Sequence, residues 1–142
     1  MSMIENKFVW ESEVRSYEVD LQGIVNNANY LHYFDHVRTI CFRESGIDWA
    51  LWHKNGYNLV VRDIEMSFFS SLKEGDAFYV NTKFRLEKKL RLIVEQELYR
   101  KYDSKLMTNG KFTVICVCIK KGQPIMPNEL RNLLLTICTN NP

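Results

Sequence analysis

Asp20 stands three residues before Gly23 and seven before Asn27. A carboxylate set across a glycine turn from the start of a helix is an arrangement that can do acyl chemistry. The first-turn amides of a helix have no intrahelical acceptor and carry a partial positive charge. They can therefore stabilise a carbonyl oxygen as it becomes an oxyanion. A carboxylate at the same place would serve as base or nucleophile. The competing reading of Asp20 is local, because aspartate commonly closes a turn onto its own backbone. A D-x-x-G by itself has little specificity.

Other catalytic arrangements find less support. There is no G-x-S-x-G, so a serine triad has no elbow to sit on. His32 and His36 are four apart and could share a helix face as metal ligands. Asp35 is the only acidic residue near them, and no third histidine has suitable spacing. A plain place on a polar helix face, with Asp35 and Arg38, is expected for both. The run Lys83, Arg85, Lys88, Lys89 and Arg91 reads by default as a solvated strand face, with phosphate contact as the rival reading. Cys41, Cys116, Cys118 and Cys138 show no C-x-x-C spacing. Cys116 and Cys118 would share one strand face, which favours packing.

Composition narrows the classes further. A chain of 142 residues suits one domain over 1–142 with a proper core. A net charge of +2 without a basic, aromatic-interleaved tract argues against a nucleic-acid partner. Residues 1–10 include Glu5, Asn6 and Lys7 and no apolar core of a signal peptide. No apolar run is long enough to span a bilayer. A cytoplasmic protein with reduced cysteines and no membrane partner is the expectation.

The elements that must position Asp20 follow from periodicity. Residues 8–15 alternate as a strand and lead through Tyr17 and Val19 to the turn. From about 28 to 45, Tyr30, Phe34, Val37 and Cys41 recur at i, i+4, i+7 and i+11, with Leu31 and Phe42 widening the stripe. This predicts the longest helix, capped by Asn26 or Asn27 and ended by Gly46. A short helix is expected over 48–55, with Asp48 as cap. Four β-rich stretches follow, at 58–69, 77–87, 90–102 and 106–120, the Lys88-Lys89 junction marking a hairpin or sharp bend and Asn109-Gly110 a bulge. A short helix over 127–138 closes the chain. Consecutive strands with short turns favour an antiparallel sheet, and one long helix with a broad apolar stripe needs a sheet face to cover it. The fold class expected is α+β, a curved antiparallel sheet wrapped around one long central helix. Tyr30, Phe34 and Trp49 belong mainly to that core, Tyr30 being the one set toward a pocket.

Three pieces of the chain carry a resemblance. The first is Asp20-x-x-Gly23-Ile24-Val25-Asn26-Asn27-x-x-Tyr30. The second is Val60-Val61-Arg62-Asp63-Ile64-Glu65, running on to Leu72-x-x-Gly75-Asp76. The third is Glu95-Gln96-Glu97, with Gly122-Gln123-Pro124-Ile125-Met126-Pro127 after the last strand. In this order they resemble the hot-dog fold acyl-CoA thioesterases of the 4-hydroxybenzoyl-CoA thioesterase and YbgC type, over about 8–131. The resemblance implies hydrolysis of acyl-CoA or acyl-ACP, or else a non-catalytic module that binds acyl thioesters. It sets the catalytic carboxylate on Asp20, the amide that polarises the thioester carbonyl on Asn27, and the close turn on Gly23. It suggests Lys88, Lys89 and Arg91 for the CoA phosphates and adenine end, with Tyr30 beside the acyl group. It implies no metal or organic cofactor, and a homodimer or homotetramer. The chain departs from the pattern at Asn27, where many YbgC-type relatives have histidine; the asparagine pair resembles long-chain acyl-CoA and plant acyl-ACP thioesterases. Glu18 stands where many relatives carry a second acidic residue.

Overall fold

The structure, a computed structural model, describes residues 1–4 and 7–139, so Glu5 and Asn6 lie outside it. Its central element is α1 (Asn27–Glu44), placed where the apolar period predicts it. Asn26 is the cap: its side-chain oxygen accepts the Asn29 amide at 3.2 Å. Gly46, with φ of +78°, ends the helix in a conformation glycine adopts without strain. Tyr30, Phe34, Val37 and Cys41 are all buried, as are Tyr33, Ile40 and Phe42.

Around α1 lie β1 (Ser2–Ile4), β2 (Lys7–Glu13), a 3₁₀ turn (Ser16–Glu18), α2 (Trp49–Lys54), β3 (Tyr57–Phe68), β4 (Ala77–Glu87), β5 (Arg91–Arg100), β6 (Lys105–Cys118), β7 (Gln123–Pro124) and α3 (Asn128–Leu135). The strands form one sheet in the order β1-β2-β4-β5-β6-β3, with β7 pairing β6. Every pairing between these strands is antiparallel. The expected α+β arrangement of a curved sheet around one helix is therefore the observed one. β4 shows its physical origin: Phe78, Val80, Thr82, Phe84 and Leu86 are buried under α1, while the residues between them face outward. Among the described residues no helix is long and apolar enough to cross a membrane.

Two expectations need correction. The bulge is not at Asn109-Gly110, where register runs unbroken to both neighbours; the extra residues are Arg62 in β3, between Val61 and Asp63, and Met107 in β6, opposite the step from Leu98 to Tyr99. Gly110 has another reason to be glycine. A Cβ there would stand 2.7 Å from Cε2 of Phe112 and 3.2 Å from Cε2 of Phe34, rings packed against the strand backbone. Gly110→Ala is expected to cost about 1–3 kcal/mol, read as a lower urea midpoint at unchanged slope.

The second correction is Arg38, which is 5% exposed rather than part of a polar face. Its guanidinium lies 4.1 Å over the Phe112 ring. It donates from Nη1 to Gln96 Oε1 at 2.9 Å and from Nη2 to Asp35 Oδ1 at 3.2 Å. Gln96, fully buried, donates in turn to the Phe34 carbonyl and Thr82 Oγ1, each at 3.1 Å. A flat guanidinium with hydrogen-bonding partners fits between helix and sheet where a solvated one was expected. Burial holds its pKa below the usual guanidinium value, against the pull of Asp35.

Candidate active site

The chain reaches Asp20 through a clamped approach. Glu18 is 8% exposed, and its carboxylate accepts the Arg15 amide at 2.8 Å and the Arg15 guanidinium at 2.9 Å. The buried Tyr33 hydroxyl faces the same carboxylate without a hydrogen bond of good geometry, yet near enough for each group to shift the other. Burial works to raise the Glu18 carboxyl, but the bonds from Arg15 outweigh it and hold it below the usual range. Burial first, and then the Glu18 charge, push the Tyr33 phenol well up.

Beyond Glu18 the chain turns. The Asp20 amide donates to the Ile24 carbonyl and the Gly23 amide to the Asp20 carbonyl, both at 2.9 Å. Asp20 Oδ1 accepts the Gln22 amide at 2.8 Å. Gly23 sits at φ of +77° with open space around its missing Cβ, so the turn needs glycine for its backbone angle. The local reading of Asp20 is thus present in the geometry, but it uses one carboxylate oxygen. Among the described residues no donor reaches Oδ2, and Asp20 is exposed.

The open start of α1 follows directly. Asn26 takes the Asn29 amide, and among the described residues the amides of Asn27 and Ala28 have no acceptor. Both residues are exposed. The Val25 amide donates to the Leu72 carbonyl at 2.9 Å and the Leu72 amide to the Tyr30 hydroxyl at 2.8 Å, which fixes this end against the loop after β3. Asp20, Gly23 and Asn27 therefore share one end of the molecule: a carboxylate with a free oxygen, on a hydrogen-bonded turn that leads into unpaired helix-start amides. Tyr30 is buried in the core at 1% exposure and acts on that end from beneath.

Lys88, Lys89 and Arg91 are not brought to it. They belong to the β4–β5 hairpin, whereas the Asp20 turn is bridged through Ile24 to Lys73, just before β4. At about 3.3 Å per residue, the length of β4 separates the two ends by about 33 Å within one chain. Arg85 is engaged by Glu87 at 2.7 Å and Glu95 at 3.3 Å. His32 and His36 are exposed, His36 packing beside Trp10, and among the described residues no cluster could hold a metal. Burial pushes the thiols of Cys41 up to about 12 and of Cys116 and Cys138 up to about 11, so none is a ready nucleophile.

Residues 14–134 match the family profile described as the thioesterase-like superfamily. The chain belongs to this superfamily. Among curated relatives it is 26% identical over 122 residues to the chloroplastic acyl-acyl carrier protein thioesterase ATL3 of Arabidopsis thaliana, covering 86% of this chain and 64% of that one. It thus spans a little under two-thirds of that relative's length. It is 26% identical over 131 residues to the acyl-CoA thioesterase YbgC of Haemophilus influenzae, covering 91% and 95% of the two chains. Slr0204, a 1,4-dihydroxy-2-naphthoyl-CoA thioesterase from Synechocystis, superposes with a TM-score of 0.83 at 15% identity, over 90% of this chain and 95% of that one. That last likeness is one of fold. The superfamily match takes in the whole clamp from Arg15 through Tyr33 as well as Asp20, Gly23 and Asn27. Sequence reasoning gave Asn29 and Tyr33 no role. The signal was a polar residue at Asn29, three after the cap, and a tyrosine at Tyr33, three after Tyr30.

Proposed function

We propose that this protein hydrolyses acyl thioesters, acyl-CoA in the first place and acyl-ACP as the alternative carrier, with Asp20 as base or nucleophile. One observation carries the reading: a carboxylate with one oxygen pinned and the other free, on a turn that leads straight into the unpaired amides of an 18-residue helix. The thioester carbonyl would accept from the Asn27 amide, where the helix dipole favours the developing oxyanion. Asp20 Oδ2 would then take a proton from the attacking water, or attack the carbonyl to give a mixed anhydride that water opens. In either route the thiolate leaves and is protonated, and acid and free thiol are the products. Release of thiol from a panel of acyl-CoAs tests the reading.

The same proposal includes a homodimer. β3 is a 12-residue edge strand with Val60, Val61, Ile64 and Phe68 exposed, and long apolar edges are not left bare. A second copy pairing antiparallel along β3 would set its Asp20 turn level with this chain's Tyr57 end, and so nearer the Lys88-Lys89 hairpin. A groove of about 450 Å³ lies there between α1, α2 and β3, walled by Phe42, Trp49 and Tyr57. Ile64→Lys is expected to yield a monomer in sedimentation and to lose turnover; a wild-type chain that sediments as a monomer while fully active contradicts the dimer.

Lys88 and Lys89 hold left-handed backbone angles, φ of +51° and +63°, which side-chain-bearing residues adopt at a cost. We assign them, with Arg91, to the phosphates of the carrier. Replacing the pair by Asn-Gly relaxes the backbone and removes both charges. Stability is expected to rise by about 1 kcal/mol, while KM for acyl-CoA rises roughly tenfold. If stability rises and KM stays put, the hairpin does not bind the phosphates.

A further inference from the structure

We infer that Asn29 is a positioning residue that sets where the Asp20 turn lies over the first turn of α1. Its side-chain Nδ2 donates to the Glu18 carbonyl at 2.6 Å, eleven residues back in sequence. That bond joins the helix carrying the oxyanion amides to the end of the 3₁₀ turn, two residues before the carboxylate. The backbone amide of Asn29 meanwhile donates to Asn26 at both the side-chain oxygen, 3.2 Å, and the carbonyl, 3.1 Å. One residue thus closes the helix cap on one side and holds the approach to Asp20 on the other.

Glu18 gives the tether something rigid to hold. Its carboxylate is locked by Arg15 through backbone and side chain, and it is buried against Tyr33, one helical turn beyond Asn29. Only Val19 lies between Glu18 and Asp20, and Val19 is itself bridged to Val25. Asp20 and the free amides of Asn27 and Ala28 all lie within the loop from 18 to 29 that this tether closes. Losing it would let the turn move by the sub-ångström to ångström distances that matter when a nucleophile and an oxyanion site must meet one carbonyl. Asn29 itself touches neither.

The inference rests on the thioesterase reading, and the experiment separates the two. Asn29→Leu keeps the size and removes the donor; Asn29→Ser keeps a shorter donor that can reach the carbonyl through water. Ile137→Val, in the core away from the site, serves as a stability control. In Asn29→Leu, amide exchange at Gln22 and Gly23 is expected to quicken at least tenfold while the interior of α1 is unchanged. For the acyl-CoA the wild type turns over best, kcat is expected to fall at least tenfold with KM within twofold, and Asn29→Ser to recover part of both effects. Wild-type exchange and kcat in Asn29→Leu overturn the inference and leave the thioesterase reading standing. A loss of kcat no larger than the control shows at matched melting temperature also overturns it. Full activity in Asp20→Asn would remove the reading and the inference together, whatever the exchange data show.

Discussion

Asp20→Asn is expected to lower kcat for thioester hydrolysis by roughly a thousandfold, about 4 kcal/mol of transition-state stabilisation. The substitution is informative because of what it leaves in place. Asparagine keeps an oxygen at Oδ1 to accept the Gln22 amide, and the Asp20 backbone bonds to Ile24 and Gly23 do not involve the side chain. The turn should therefore persist, with stability changed by less than about 1 kcal/mol, the range of surface substitutions away from special features. Only the unpaired Oδ2 loses its charge and basicity. KM is expected to hold, because the helix-start amides and the hairpin are untouched. If Asp20 were merely a turn residue, kcat would be the same in both proteins.

Gln96→Leu is expected to destabilise the protein by about 3 kcal/mol, since a buried charged donor loses its acceptor. The cost arises from Arg38. Arg38 is 5% exposed, and its other hydrogen-bonding partner, Asp35, has a mostly solvated side chain. Without Gln96, Nη1 faces an apolar environment, and Thr82 Oγ1 and the Phe34 carbonyl lose a donor. The double variant Arg38→Met, Gln96→Leu removes charge and partner together and should lose less than Gln96→Leu alone. Urea unfolding of the two single variants, the double variant and the wild type measures the coupling. Additive losses would mean that Arg38 and Gln96 are independent, and the helix-to-sheet network would have to be abandoned.

Much of this architecture could be read from residue types. The stripe Tyr30, Phe34, Val37, Cys41 and the alternation of Phe78 through Leu86 are periodic signals, and the buried faces of α1 and β4 follow them. The caps at Asn26 and Asp48 were legible for the same local reason: side-chain oxygens near orphan amides. β1 and β7 were not, because strands of three and two residues are too short to show a period and are made by their partners. Gly110 was misread because a glycine beside asparagine is a turn signal locally, while its real constraint is a phenylalanine two residues on and another from α1. Arg38 was misread because a charged residue on a helix is solvated by default. The counter-signal was Gln96, a polar residue at an inward position between Val94 and Leu98. Asp20, Gly23 and Asn27 were legible as a constellation, whereas the tether from Asn29 to Glu18 depends on a chain reversal that spacing alone does not reveal.

The most direct test of the central claim is thiol release by the wild-type protein across acyl-CoAs with short, long, branched and aromatic acyl groups. Turnover of at least one, well above the rate in Asp20→Asn, is the result expected of a thioesterase working through this turn. Saturable binding of acyl-CoA with no thiol released from any of them would contradict it, and would make the protein a binder of acyl thioesters in which Asp20 only closes a turn.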